Sequence, residues 1–501
     1  MDNTILRLKG INKSFSGVQA LKDIDIEIKA GTIYCLLGEN GCGKSTLIKI
    51  ICGVYSPDSG EIELDGKVVR HMTPIEAMSQ GIEVIYQDLS VFPNLTVAEN
   101  IMFNTEITER KRTVSWKRVK EHARETMRRI GVDLPLDAMV GDLPVASRQL
   151  IAICRAIAHN ARILIMDEPT TALTKREVDA LFETVRELNK SGISVIFVSH
   201  KMEEIMQLSQ YVYILRNGEQ VASGPISEFT KEKIVYHMTG REIAFKQLAG
   251  GRKKEAETVL RVENLNQRGG FIDISFELKK GEILGLTGLL GSGRTALANA
   301  LFGIHPADRG EIYLNGKKAA IRSVRDAVKH GIAYVPEDRL TEGLFLEQSI
   351  RNNMIVTVLN RLRSMGGAID AGRANALADD WIDKLHIKAA SKLNAASSLS
   401  GGNQQKIVIA KWLATEPGVL ILNGPTVGVD VGAKADIIEL IRSLAEEGMS
   451  IILASDDVSE IMACCDRIMI MRGGRIVAEV ANRDTNETEL SEMIRGKEKL
   501  G

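Results

Sequence analysis

An internal repeat constrains the fold of this chain more than any other feature of its sequence. Residues 38–45 read GENGCGKS, and residues 288–295, which lie 250 positions later, read GLLGSGRT. The stretch SGEIELDGK, beginning at Ser59, has a counterpart RGEIYLNGK at the same spacing. Farther along the chain the spacing is 256, as between Pro169 and Pro425. The chain is therefore a tandem of two similar domains, as its length of 501 residues also suggests.

The repeat also predicts where the domains meet. We assign residues 1–245 to the first domain and residues 259–501 to the second, with a short linker at 246–258 that is rich in glycine and mixed charge. Apolar strand-like runs alternate with helical periods in both copies. This alternation predicts an α/β fold with a mainly parallel sheet and helices on both faces. Apolar residues on one face of residues 116–131 predict a helical lobe beside the sheet.

Composition and charge disfavour several classes of protein. Lys and Arg total 64 against 65 Asp and Glu, so no excess positive charge favours nucleic acid or an anionic membrane. No apolar run reaches the roughly 18 residues of a spanning helix, and the N-terminus does not resemble a signal peptide. The six cysteines have neither metal-ligand spacing nor a disulfide pattern. We therefore expect a cytosolic protein without a transmembrane segment.

The first glycine-rich stretch has the pattern of a phosphate-binding loop between a strand and a helix. Its glycines let backbone N–H groups face phosphates, and the helix N-terminus adds positive dipole. Lys44 would reach the β- and γ-phosphates, and Ser45 would hold Mg²⁺. The candidate nucleotide-binding residues here are Gly38, Glu39, Asn40, Gly41, Cys42, Gly43, Lys44, Ser45 and Thr46.

Two acidic residues end the apolar strand RILIM in the same copy. Asp167 can bind the Mg²⁺ shell, and Glu168 can accept a proton from an attacking water. The alternative is a solvated strand end without a function. The phosphate loop, Gln87 and His200, all in the same half, favour the catalytic interpretation.

With these motifs in their order, the sequence resembles the ATP-binding subunits of ABC transporters over nearly its whole length. LSGGNQQK, from Leu399, resembles the signature motif of that family. The resemblance implies two tandem P-loop NTPase domains of the ABC ATPase type, in which ATP lies between the phosphate loop of one domain and the signature of the other. It also implies that Gln87 senses Mg²⁺ and the membrane partner, that His200 contacts the γ-phosphate and that Phe15 stacks on adenine. For Phe15, a place in the core is nearly as well supported.

The signature residues that the resemblance brings to the nucleotide are Ser400, Gly401 and Gly402. A serine hydroxyl can donate to a phosphate, and glycines let backbone N–H groups approach it at a helix start. These residues would complete a site with residues 38–45. ATP and Mg²⁺ are the cofactors that this pairing implies.

The other site would pair residues 288–295 with LPVAS at 143–147. Most of the chemical groups that bind or hydrolyse a nucleotide are altered there. Arg294 keeps the charge of the loop lysine and Thr295 keeps the hydroxyl, but a proline has no backbone N–H and an alanine carries a Cβ. The altered positions are Pro144, Ala146, Glu337, Asn423, Gly424 and Asp456. Glu337 and Asp456 would repel a triphosphate unless Mg²⁺ or protonation intervened. We expect one hydrolytic site per chain, with the second half as signature donor and, at most, a static nucleotide binder.

The fused pair and the stretch 336–344, PEDRLTEGL, are similar to the ATPase subunits of bacterial simple-sugar importers, such as those for ribose, galactose or xylose. Such subunits generally keep Asp-Glu in the second half and a serine in the first signature, and this sequence departs from both patterns. The resemblance implies two copies of a membrane permease and an extracytoplasmic sugar-binding protein as partners, no nucleic acid, and a peripheral position on the cytoplasmic face of the bacterial inner membrane.

Several alternatives remain open on the sequence. A nucleoside or autoinducer importer has the same architecture, and a tandem ATPase acting on ribosomes or DNA, or a nucleotide-dependent regulator, belongs to another class. Phe92, Pro93 and Leu95 follow Gln87 and are either a permease contact or a buried loop. Cys42, at a helix N-terminus that can lower its pKa, is either a reactive thiol or a small residue at a variable position.

Overall fold

The structure of the protein is a computed structural model. It describes residues 3–15, 17–69, 72–86, 91–108, 115–170, 173–199, 201–242, 256–364 and 367–496. The chain divides into two compact units, residues 1–243 and 244–501. Most of the predicted linker, together with Gln87 and His200, lies outside the described residues. The proposed domain boundaries remain predictions.

The first unit alternates strands and helices. Its strands are β1 Thr4–Phe15, β2 Val18–Lys29, β3 Ile33–Leu37, β4 Ser59–Leu64, β5 Lys67–Val69, β6 Ile82–Ile85, β7 Ile163–Asp167, β8 Ser194–Val198, β9 Tyr211–Arg216 and β10 Glu219–Pro225. Its α-helices are α1 Lys44–Ile51, α2 Pro74–Ser79, α3 Val97–Thr108, α4 Trp116–Arg129, α5 Val145–Ala158, α6 Lys175–Lys190, α7 Met202–Leu208 and α8 Lys231–Thr239.

The second unit has the same order of strands and α-helices. Its strands are β11 Thr258–Gln267, β12 Phe271–Lys279, β13 Ile283–Thr287, β14 Arg309–Leu314, β15 Lys317–Ala319, β16 Ile332–Val335, β17 Val419–Asn423, β18 Ser450–Ala454, β19 Arg467–Arg472 and β20 Arg475–Ala481. Its α-helices are α9 Arg294–Phe302, α10 Val324–Lys329, α11 Ile350–Ile355, α12 Ala371–Lys384, α13 Gly401–Leu413, α14 Val431–Glu446, α15 Val458–Cys464 and α16 Glu487–Arg495.

Each unit is built around a mainly parallel sheet, as the alternation of strand and helix predicts. The strand order is β10-β9-β3-β8-β7-β6 in the first unit, and the corresponding order β20-β19-β13-β18-β17-β16 recurs in the second. All neighbours in these sheets pair in parallel except β9 with β10 and β19 with β20. The predicted α/β fold is confirmed.

A second, antiparallel sheet in each unit was not predicted. Its strand order is β2-β1-β4-β5 in the first unit and β12-β11-β14-β15 in the second. In the first unit its apolar residues share one core with α1 and one face of the parallel sheet, where Leu47 and Ile48 of α1 are buried beside Ile26. This sheet is an addition to the predicted architecture, because it shares the core on one face of the parallel sheet with α1.

The predicted helical lobe is present. Val119, Ala123 and Met127 of α4 are buried on one side of the helix, at the spacing of three to four residues that the sequence shows. α4 packs against α3 and α5. Among the described residues, no helix combines the length and the apolar character needed to cross a bilayer.

Strands β3, β8 and β7 are neighbours in the parallel sheet of the first unit. Because parallel strands end at the same edge of a sheet, the segments that follow them are brought together. The phosphate loop follows β3, and Asp167 ends β7. The same holds in the second unit for β13 and β17.

Candidate nucleotide-binding sites

The first phosphate loop depends on its glycines. Gly38, Gly41 and Gly43 have φ angles of 148°, 80° and 107°. A Cβ on Gly38 would lie 2.4 Å from the Leu215 carbonyl oxygen, and one on Gly43 would lie 2.6 Å from the Ala20 oxygen. Only glycine fits these two positions without moving the backbone, so the loop shape is fixed where β3 passes into α1.

Lys44 is held over this loop. Its Nζ donates to the backbone oxygens of Gly38, at 2.7 Å, and Glu39, at 2.9 Å. Ser45 follows it in the first turn of α1 and is exposed. A cation, a hydroxyl and the helix N-terminus therefore face the same loop, which is the chemistry that binds a polyphosphate.

Asp167 lies at the end of β7 in a partly desolvated position. Burial, and then the charge of Glu168, raise the pKa of Asp167, while Lys44 opposes this shift. Lys44 is thus close enough to act on the carboxylate electrostatically. A carboxylate and the Ser45 hydroxyl are oxygen donors of the kind that Mg²⁺ prefers, and a divalent cation would relieve the repulsion between the two acids. These residues fit a magnesium ion.

Glu168 has an unusual backbone. Its φ is 46°, in the left-handed region that side chains other than glycine rarely adopt. Its N–H donates to the Val198 oxygen of β8 at 3.0 Å, which ties the residue to the neighbouring strand. A strained conformation of this kind is common where a side chain must be aimed at a reaction centre.

Two other predictions for the first half concern Phe15 and Cys42. Phe15 ends β1 and is 39% exposed, so it is not a core residue. Its ring meets Tyr55 edge to face at 5.1 Å, and Lys13 Nζ lies 5.5 Å from its centroid. Tyr55 was not predicted, and no local motif marks it. The reactive-thiol hypothesis for Cys42 is wrong, because the side chain is buried and burial raises its pKa.

The second loop keeps the backbone of the first. Gly288, Gly291 and Gly293 have φ angles of 159°, 79° and 101°, and Arg294 Nη1 donates to the Gly288 oxygen at 2.7 Å. The buried Arg294 side chain also forms an ion pair, because its Nη2 lies 3.1 Å from Asp456 Oδ1. Asp456, expected to repel a triphosphate, therefore neutralises the cation of its own loop.

The end of β17 lacks the groups found at the end of β7. Asn423 Nδ2 donates to the Tyr334 hydroxyl at 3.3 Å, and its buried Oδ1 has no hydrogen-bond partner among the described residues. Gly424 has a φ of 57°, and its N–H donates to the Ala454 oxygen at 2.8 Å. This end of the second sheet keeps the backbone, but neither Asn423 nor Gly424 supplies a carboxylate. The carboxyl group beside it belongs to Glu337, which follows β16, since a Cβ on Gly424 would lie 3.6 Å from Glu337 Cδ.

The signature segment starts a helix in the second half. Ser400 precedes α13, and its Oγ accepts a hydrogen bond from Asn403 Nδ2 at 2.9 Å. A Cβ on Gly402 would lie 2.3 Å from Ala433 Cβ, so this glycine is needed for the packing of α13 against α14. In the first half, Pro144 occupies the position before α5, and it carries no hydroxyl. Thr295 lies in the first turn of α9 and keeps its hydroxyl.

The order of these motifs agrees with a family comparison. The model of the ABC transporter family matches residues 21–171 and again residues 271–427. The two matches together cover more than half of the chain. The chain belongs to the ABC transporter family.

Relatives within the family are similar over nearly the full length. The ribose import ATP-binding protein RbsA of Caldanaerobacter subterraneus subsp. tengcongensis is 40% identical over 97% of this chain and 98% of its own. The proteins of the same name from Halalkalibacterium halodurans and Bacillus subtilis are 42% and 40% identical, over 97% and 98% of this chain and 97% and 99% of their own. The family match and these relatives support the predicted ATP and Mg²⁺ dependence.

Proposed function

We propose that this chain is the ATP-hydrolysing subunit of a bacterial importer for monosaccharides. The observation that carries the proposal is the identity of about 40% to ribose import ATP-binding proteins, which extends through both halves. The substrate class rests on the printed names of these relatives. A nucleoside or autoinducer is the alternative within the same architecture.

We further propose that the first half supplies the groups for hydrolysis. Lys44 binds the β- and γ-phosphates, Ser45 and Asp167 hold Mg²⁺, and Glu168 accepts the proton of the attacking water. The ion neutralises phosphate charge when it is bound. Burial and the charge of Glu168 disfavour the ionised form of Asp167, and a cation bound at this position would offset both effects. Gln87 and His200 stay predictions.

In this proposal the second half contributes the signature rather than a second reaction. Residues 38–45 would be completed by Ser400, Gly401 and Gly402, whereas residues 288–295 would face LPVAS at 143–147. The second half has no general base at Gly424. Loss of a base costs about a hundredfold to ten-thousandfold in rate, so one site per chain would carry turnover.

The partners follow from import as a function: a membrane permease and a substrate-binding protein outside the membrane. We propose two permease copies, bound at the cytoplasmic face of the inner membrane. Phe92 and Pro93 are exposed, which supports a docking role over a buried loop. The matching Phe345 is 61% exposed in the second half. Leu95 is half-buried.

Uptake by reconstituted vesicles tests this proposal. The subunit is assembled with a permease and a substrate-binding protein from the same organism, and the uptake of labelled ribose, galactose, xylose and nucleosides is measured with and without ATP. We expect ATP-dependent uptake of a monosaccharide. Uptake of nucleosides alone would reject the substrate class, and ATP hydrolysis without coupling to any permease would reject transport.

A further inference from the structure

The stretch 336–344, PEDRLTEGL, contains an insertion relative to the first half. Ile82 and Ile332 begin the matching strands β6 and β16 and are 250 positions apart. Asn100 and Asn353 are 253 positions apart, yet they are equivalent, because each Oδ1 accepts the N–H of the residue eight positions earlier at 2.8 Å. Three residues have therefore been added between these points. Within the described residues, the second half uses this stretch to form a π-helical turn, Arg339–Gly343.

The turn is braced by its own side chains. Asp338 Oδ1 accepts the N–H groups of Leu340, at 2.9 Å, and Thr341, at 3.2 Å. Its Oδ2 accepts the Thr341 hydroxyl at 2.6 Å. At the far end, Lys411 Nζ of α13 donates to the Gly343 oxygen. The turn is thus fastened to the signature helix, and the direction of Arg339 is set.

Arg339 joins two segments that are distant in sequence. Its Nη1 donates to the Val427 oxygen at 2.7 Å, and its Nη2 donates to the Gly428 oxygen at 3.0 Å. Its Nε lies 3.4 Å from Oε1 of Gln404, a buried residue of α13. A Cβ on Gly401 would lie 2.7 Å from Nη2. The signature glycine therefore leaves the space in which the guanidinium connects the start of α13 to the turn after Gly424.

The charge of Arg339 is unusual for this place. A cation beside a helix N-terminus is opposed by the helix dipole, and the three acceptors of Arg339 are neutral oxygens. Burial lowers the pKa of Arg339, although the charge of Asp338 beside it opposes this shift. Two positive sources therefore lie together at the start of α13, and an anion brought to this place would be stabilised by both.

The first half holds its corresponding helix start differently. Arg148, which matches Gln404, donates from Nε to the Leu143 oxygen at 2.9 Å and from Nη2 to the Gly141 oxygen at 2.7 Å. Both acceptors lie just before α5, so this contact is local. Within the part of the chain that the structure describes, a contact between the helix start and a distant turn is seen in the half with the intact LSGGN motif.

We propose that Arg339 is a positioning residue for ATP hydrolysis. It fixes Ser400 and Gly401 against the turn at Val427 and Gly428, and so presents the signature to the γ-phosphate of ATP bound at residues 38–45. This inference rests on the proposed function, because it needs the signature of the second half to act on the site of the first.

The test compares Arg339→Gln and Arg339→Lys with Ser400→Ala in the full subunit assembled with its permease. kcat for ATP, equilibrium binding of ADP and the thermal unfolding temperature are measured. We expect Arg339→Gln to lower kcat by about tenfold to a hundredfold, since a displacement of about 1 Å has effects of this size. The loss of kcat should be smaller in Arg339→Lys, because the lysine ammonium can still donate a hydrogen bond to one of the two backbone carbonyls. ADP binding should stay unchanged, because Lys44 and its loop are intact.

Arg442→Gln is the matched control, since Arg442 also donates to a backbone oxygen, that of Ala463, but away from the signature. It should leave kcat unchanged. If Ser400→Ala lowers turnover, the double variant with Arg339→Gln should show no further fall, because the two residues act as one unit.

A wild-type kcat in Arg339→Gln, with Ser400→Ala impaired, would overturn the positioning role and leave the proposed function standing. Wild-type kcat in both variants would overturn the composite site itself. A loss of kcat in proportion to the loss of unfolding temperature, in both Arg339→Gln and Arg442→Gln, would show that Arg339 only stabilises the fold. If Arg339→Gln does not fold, the positioning role is tested with Arg339→Lys, whose kcat and unfolding temperature are compared with the same controls.

Discussion

Glu168 and Gly424 lie 256 positions apart and occupy equivalent places directly after β7 and β17. Their φ angles are 46° and 57°, and each N–H donates to the next strand, to Val198 and to Ala454. A glycine adopts this conformation freely, whereas it costs a glutamate about 1–3 kcal/mol. The first half therefore keeps a strained carboxylate, and the second half keeps only the backbone shape.

The two phosphate loops lead to the same conclusion. Their glycines have nearly the same φ angles, and in both loops a cation donates to the first glycine's oxygen. Lys44 has Asp167 in its electrostatic environment, but Arg294 is paired with Asp456. The comparison separates what the fold requires, which both halves retain, from what the reaction requires, which the first half alone retains among these groups.

The largest expected effect is that of the proposed base. Glu168→Gln keeps the size of the side chain but removes its charge, so we expect kcat for ATP to fall by about a hundredfold to ten-thousandfold. Gly424→Ala at the equivalent position should leave kcat within about twofold. Steady-state ATPase measurements of the reconstituted complex check both values. A similar loss in both variants would contradict the contrast between the halves.

The two loop cations sharpen the contrast. Lys44→Ala removes charge-assisted contacts to phosphate worth about 1.5–3 kcal/mol, so turnover should fall roughly tenfold to a hundredfold. Arg294→Ala should retain most of the turnover, since its charge is already paired with Asp456. The same ATPase assay compares the two variants. If both abolish turnover, the second half binds a nucleotide that the reaction needs.

A pair of buried acids gives a pH-dependent comparison. Burial raises the pKa of Glu460 from 4.5 to about 7, although hydrogen bonds from Ser455 and Thr426 oppose the shift. Because the folded pKa lies above the unfolded one, its stabilising contribution is complete below pH 4.5 and is lost as the pH rises through 7. Glu460→Gln should therefore raise the free energy of unfolding at pH 8 by about 2–3 kcal/mol.

Glu204 is the matched position in the first half. It accepts the hydroxyls of Thr170 and Ser199, each at 2.8 Å, and Lys201 Nζ lies 3.2 Å away. Glu204→Gln breaks this ion pair and should lower stability at neutral pH. Denaturant unfolding, followed by the fluorescence of Trp116 for the first half and of Trp381 and Trp412 for the second, measures both. If Glu460→Gln and Glu204→Gln changed the free energy of unfolding in the same direction, the comparison would be contradicted.

The smallest effect concerns backbone strain. Glu168→Gly should stabilise the first half by roughly 1 kcal/mol, because glycine relieves the left-handed strain. Gly424→Ala should destabilise the second half by a similar amount, since its Cβ would lie 2.9 Å from Val427 Cγ2. Denaturant midpoints of the two variants give the sign of each change. Destabilisation by Glu168→Gly would show that Glu168 is not strained.

Much of this arrangement was predictable from the sequence. The repeat, the apolar runs of β7 and β17 and the loop glycines predict the parallel sheets and the two loops, because those signals are local. The antiparallel sheets were missed, because register shifts in β1, such as that between Leu8 and Ile11, interrupt the alternation that reveals a strand. For Cys42, the helix-end argument predicted a lowered pKa, whereas burial raises the pKa and outweighs the opposing charge of Lys44.

Contacts between distant residues could not be predicted. The ion pair of Arg294 with Asp456, and the bonds of Arg339 to Val427 and Gly428, depend on which strand ends are neighbours. The pattern 336–344 was recognisable as a motif, but its role depends on the packing of the turn against α13. Composition and spacing carry no information on such contacts until the topology is known.

Counting the ATP hydrolysed per chain in a single turnover tests the central claim most directly. The full subunit, assembled with its permease, is saturated with labelled ATP and Mg²⁺, and the ADP formed in the first turnover is measured against the number of chains. One working site predicts one ADP per chain, and Glu168→Gln should reduce it to none. A value near two would contradict the account, because the second site would then hydrolyse ATP without a base at Gly424.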